Sequence, residues 1–69
     1  MGGLKWQDAD EIGYRLHRTM PEQDPLKVRF TDLRQYVVSL EGFADAPSAS
    51  NEGLLEAIQM AWLEYHRGG

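Results

Sequence analysis

A chain of 69 residues has room for one domain, and a domain of this size buries only about 60% of the surface its unfolded chain exposes. It has no cysteine, which excludes disulfides, thiolate metal sites and thiol nucleophiles; stability must come from an apolar core, which a composition 42% hydrophobic and 26% charged suits. The net charge of -4 opposes general attraction to nucleic acid or anionic lipid and favours a basic protein partner or cations.

No apolar run approaches the ~18 to 20 residues of a membrane span, and "MGGLKWQDAD" lacks the apolar centre of a secretory signal. Trp6 stands where a myristoylation signal requires Ser or Thr. The expected location is therefore cytoplasmic.

The first helix is expected over 8–19. Asp8 is placed to cap it, with Glu11 three residues on in the capping-box position, and the acids at this end suit the helix dipole. Ile12, Leu16 and Met20 recur at helical spacing, while Asp10, Arg15 and Arg18 stay wet. Gly13 weakens the helix by up to about 1 kcal/mol unless close packing requires the missing side chain. Pro21 ends it.

Asp24 and Pro25 form an N-cap and N1 pair for a very short helical turn, after which 28–30 reads as extended. Thr31 is the expected cap of a second helix whose stripe is Leu33, Tyr36, Val37 and Leu40, with Gly42 as its stop. "FADAPSAS" is a loop. Ser50 then caps the last and most secure helix, "NEGLLEAIQMAWLEYH", whose apolar face is Leu54, Leu55, Ile58, Ala61, Trp62 and Tyr65. Trp62 belongs to the core, whereas Trp6 either packs across the start of the first helix or stays partly exposed. The terminal glycines are expected to fray. The fold class that follows is mainly α, a small helical domain resembling a modified winged helix or helix-turn-helix, with 42–49 as a vestigial wing.

No nucleophile setting, phosphate-cradling glycine pattern or acid/base couple is recognisable, so an independent enzyme is not expected. Eleven acids supply hard oxygen ligands of the kind that hold ferrous iron or other divalent cations loosely, with water completing the shell. Capping and pairing account equally for several of them: Asp8 and Asp24 as caps, Glu11 as a capping-box acid or the partner of Arg15. His17 and His66 lack a partner histidine at metal-binding spacing and read as surface residues. Lys27, Arg29 and Arg34 surround the start of the second helix, where a helix-turn-helix protein places its reading residues. Asp32 stands among them, and the acidic balance of the chain favours a salt-bridged surface or a spot that receives an acidic partner.

Taken together and in order, "GLKWQDADEIGYRL", "DPLKVRFTDLRQYV" and "LEGFADAPSASNEGLLEAIQMAWLE" resemble the IscX family, small acidic proteins encoded with the bacterial iron-sulfur cluster assembly machinery. The match runs from about Gly3 to Glu64, with "VRFTDL", "SNE" and "LEAIQMAW" the most specific stretches, and gives one domain over 3–67. The resemblance implies a helical fold similar to a modified winged helix, binding to the cysteine desulfurase in competition with a frataxin-like protein and ferredoxin, and weak binding of ferrous iron through surface acids. Asp8, Asp10 and Glu11, with Glu22, Asp24 and Asp32, are the candidate contributors of charge and oxygen ligands. A winged-helix nucleic-acid module using Lys27, Arg29 and Arg34 is the alternative. The chain departs from the family at "FADAP", where Ala44 and Ala46 remove possible carboxylates, at the tail, where His66 and Arg67 reverse the charge, and at Tyr36, where Trp is common.

Overall fold

The structure is a computed structural model that describes residues 3–68. Its α-helices are α1 (Ala9–Thr19), α2 (Phe30–Val38) and α3 (Glu52–His66), with single 3-10 turns at Pro25–Lys27 and Pro47–Ala49. The domain is mainly α, as its periodicity predicts, and no strand forms among the described residues. None of these helices is long and apolar enough to cross a membrane. The fraying expected at Gly2 and Gly69 lies outside the described residues.

The frame is the packing of α1 on α3. Ile12 and Leu16 are fully buried on α1, against Ile58 and Trp62 on α3 within one core. Gly13 allows this approach: a Cβ there would lie 2.6 Å from the backbone nitrogen of Trp62 and 2.8 Å from the Ala61 Cβ. The helix-propensity cost of the glycine, up to about 1 kcal/mol, is thus offset by packing that no side chain would permit. Leu33 and Val37 bring α2 into the same core, while Tyr36 and Leu40 lie half-buried at its edge.

Several helix starts differ from the expected ones. Asp8 is the N-cap residue of α1 but makes no side-chain bond into the helix. Its ψ of 54° lies outside the extended region that carries a capping oxygen over the helix end, and the carboxylate instead accepts the Lys5 backbone N–H at 2.9 Å. Glu11 pairs with Arg15 rather than closing a capping box. α2 opens before Thr31, because Arg29 is extended (φ -74°, ψ 152°) and its carbonyl already accepts the Leu33 N–H at 2.8 Å. Gly42, with φ 86°, takes the left-handed conformation, but in the turn beyond Ser39, which ends α2. The cap of α3 is Asn51, whose Oδ1 accepts the Leu54 N–H at 2.9 Å. The neighbouring Ser50 hydroxyl donates to the Pro47 carbonyl at 3.4 Å. Asp24 caps the first 3-10 turn as expected, accepting from the Leu26 N–H at 3.0 Å, and the Gln59 amide fastens that turn to α3 by donating to the Pro25 carbonyl.

In the place of a wing, 42–49 holds no hairpin. It makes one parallel bridge, Leu4 to Phe43, in which the Leu4 N–H donates to Gly42 and the Ala44 N–H to Leu4, each at 2.8 Å. This bridge draws Trp6 under the loop. Its ring is 1% exposed, meets Phe43 edge-on at 5.0 Å, and donates from Nε1 to the Ala46 carbonyl at 2.7 Å. Of the two placements open to Trp6, burial is the one adopted.

Candidate functional site

The acids at the start of α1 are exposed and engaged. Asp8 holds the Lys5 N–H, and Asp10 accepts the Tyr65 hydroxyl of α3 at 3.0 Å. That bond, which favours the neutral phenol, pushes the Tyr65 pKa up. Glu11 binds the Arg15 Nε at 3.0 Å, and the same guanidinium donates to the Glu41 carbonyl at 3.2 Å. An exposed i,i+4 pair of this kind contributes only about 0.3–0.5 kcal/mol, so its consequence is orientation more than stability. Asp8, Glu11 and Arg15 line a shallow cleft with Gly3, Leu4 and Gly42.

The remaining expected ligands lie elsewhere. Glu22 is exposed in the turn after α1, Asp24 is half-buried and occupied in capping, and Asp32 is exposed in the first turn of α2. Among the described residues no three or more His, Asp or Glu come together to hold a metal ion. Carboxylate oxygens are the donor type that hard or borderline cations take, but among the described residues these acids form no cage for one.

His17 and His66, expected as separate surface residues, meet at the last turns of α1 and α3, with ring centroids 6.4 Å apart and planes at 82°. The Nδ1 atom of each is buried and has no hydrogen-bond partner among the described residues. This contact was not legible from local spacing, since the two residues lie on different helices.

The cations behave differently. Lys27, Arg29 and Arg34 are all exposed, and among the described residues none of them has an ion pair; the pair found is Arg15 with Glu11. The salt-bridged surface expected there does not form. Asp32 is two residues from Arg34 on the same helix, a spacing at which side chains do not face each other, and Arg29 precedes the helix in extended backbone. Beside these cations, a cleft of about 320 Å³ runs between the starts of α2 and α3, lined by Phe30, Thr31, Arg34, Asn51, Glu52 and Leu55 among others.

Two groups are engaged in ways the sequence does not announce. Asp45 accepts the Trp6 N–H at 3.2 Å and the Ala46 N–H at 2.8 Å, and these bonds, Trp6 first, hold its carboxyl below the usual carboxylate range. The "DAP" turn signal was available for the local bond, but nothing local announces the one to Trp6. Tyr14 lies edge-on to Tyr65 at 5.3 Å and accepts from the Arg18 Nη1 at 2.8 Å, which places an aromatic pair beside Asp10.

The described residues form a small three-helix domain with engaged surface acids and open clefts. A family model described as iron-sulphur cluster assembly matches residues 4–67. The uncharacterized protein PA3808 of Pseudomonas aeruginosa is 52% identical over 61 residues, covering 88% of this chain and 92% of its own. The chain belongs to the iron-sulphur cluster assembly family of the IscX type.

Proposed function

We propose that the protein is a cytoplasmic, non-enzymatic accessory factor of iron-sulphur cluster assembly that docks through the acidic start of α1 onto a basic patch of the cysteine desulfurase. A frataxin-like protein and ferredoxin are its competitors for that partner. The observation that carries this reading is the state of Asp8, Asp10 and Glu11 within one family-matched chain: exposed, and already oriented by Lys5, Tyr65 and Arg15. Oriented charges lose less side-chain freedom on docking than free ones. Complementary charge raises the association rate and fixes register more than it adds affinity, and it fades as salt rises.

Ferrous iron enters the same reading as a loosely held ion on the exposed carboxylates, Asp8, Asp10 and Glu11 foremost, with Glu22, Asp24 and Asp32 as separate, weaker positions. Isothermal calorimetry with the desulfurase at low and high salt, with and without ferrous iron, tests both parts. Binding that weakens with salt is the expected result, and its absence at low salt removes the desulfurase. A ferrous titration followed by NMR that gives no localised broadening removes the iron alone.

The absence of an ion pair at Lys27, Arg29 and Arg34 among the described residues favours a second reading, a nucleic-acid-binding module. The net charge of -4 opposes it, because backbone binding depends on displacing counterions with uncompensated cations. A salt-dependent gel shift reduced by Arg34→Ala would establish it.

A further inference from the structure

We propose that the cleft between the starts of α2 and α3, together with the cations beside it, is a second docking surface, and that it takes an acidic segment of a partner protein in which an apolar side chain lies between carboxylates.

The cleft has an apolar floor in half-buried Phe30 and buried Leu55, with polar walls in Thr31, Ser50 and Asn51, one cation, Arg34, and one acid, Glu52. Arg29 directly precedes Phe30, and Lys27 stands three residues before it. Leu26, in the same segment, is 58% exposed and among the few large apolar residues left so open. Glu52 in the wall and Asp32 on α2 are the opposing charges, but each lies in the first turn of its helix, where the helix dipole offsets part of its charge. Among the described residues the three cations make no ion pair. Guanidinium groups match carboxylates in paired, parallel hydrogen bonds, so a carboxylate-bearing chain satisfies them directly.

An apolar floor with a guanidinium in its wall and two further cations in the segment before it fits a peptide better than a phosphate backbone. Three cations on a chain of net charge -4 release few counterions, whereas a side chain seated on Phe30 and Leu55 adds apolar burial that a phosphate cannot supply. This surface lies on different elements from the acidic start of α1 and carries the opposite sign, so it stands whether or not the desulfurase reading holds.

The test uses the full chain and a fluorescein-labelled short peptide of Asp and Glu around a central Leu, with two comparison probes: the same peptide carrying Ser for Leu, and a short oligo-dT. The expected result is a set of amide shifts confined to residues 26–34 and 50–55, with affinity about tenfold weaker for Arg34→Glu and weaker again when Arg29→Glu is added. The Ser peptide binds less well, and Asp8→Asn with Asp10→Asn leaves binding of the Leu peptide unchanged. Shifts spread over the molecule, equal affinity for the Ser peptide, or equal weakening by an uncharged Arg34-independent route overturn the proposal. Tighter binding of oligo-dT at the same residues replaces it with the nucleic-acid module. Failure of any of these leaves desulfurase calorimetry untouched, so the two surfaces are judged separately.

Discussion

The starts of α1 and α2 are opposite in charge and opposite in how far the fold uses that charge. At α1, each of Asp8, Asp10 and Glu11 makes a hydrogen bond within the molecule. At α2, Lys27, Arg29 and Arg34 make no ion pair among the described residues. The difference teaches how one small domain can offer two kinds of surface. Engaged acids are held in place before a partner arrives, and the partner pays little to order them. Unengaged arginines, each with ~2 kcal/mol of rotamer entropy to lose, conform to whatever carboxylates they meet. The first surface is suited to one geometry and the second to several.

The largest expected effect breaks the frame on which the acidic surface depends. Helix propensity alone predicts that Gly13→Ala stabilises α1 by up to about 1 kcal/mol. The new Cβ would lie 2.6 Å from backbone of α3, which cannot retreat as a flexible side chain can, and overpacking of this kind costs about 1–3 kcal/mol. The steric term wins, and urea denaturation is expected to show net destabilisation. Arg34→Ala, on the basic surface, is expected to change stability by no more than about 0.5 kcal/mol. If Gly13→Ala proved neutral or stabilising, α1 and α3 would have to be less closely packed than they are here.

A smaller effect sharpens the comparison at the level of docking. Asp8→Asn, Asp10→Asn and Glu11→Gln combined remove three charges while keeping shape, and desulfurase binding is expected to weaken about tenfold at low salt and much less at high salt. The corresponding loss of charge at Lys27, Arg29 and Arg34 should leave that binding unchanged or slightly stronger. Equal weakening by both sets would mean that net charge, and not the acidic start of α1, governs the encounter.

What was legible in the chain follows from which interactions are local. The stripes Ile12–Leu16, Leu33–Val37 and Ile58–Trp62 are buried as their spacing requires, because helical period reports burial directly. Cap identities moved by a residue or two: Thr31 and Ser50 offered suitable oxygens, but Arg29 and Asn51 occupy the capping positions, since a cap depends on the direction from which the chain arrives. The burial of Trp6 required the Leu4–Phe43 bridge, and its partner Asp45 is 39 residues away. The charges of the acidic surface were readable one by one. Their engagement was not, because Asp10 meets Tyr65 across 55 residues. The same limit applies in reverse to the cations, where adjacency to Asp32 suggested pairing that the helix geometry does not allow.

The smallest expected effect isolates the orientation of Asp10. Its bond to the Tyr65 hydroxyl raises the phenol's pKa above the ordinary value near 10, because the carboxylate accepts a proton bond that only the neutral phenol can give. A group whose pKa is raised on folding contributes stability that is present in full below its unfolded value and lost as pH rises through the folded one. That contribution is therefore intact at neutral pH and disappears in alkali above about pH 10. In Asp10→Asn, ultraviolet titration is expected to return Tyr65 towards the ordinary phenol value. Tyr65→Phe should leave the charge of Asp10 intact but release its side chain, so desulfurase association is expected to slow slightly while the charge count is unchanged. An unshifted Tyr65 titration in Asp10→Asn would show that the carboxylate is not held, and the acidic surface would then be as adaptable as the basic one.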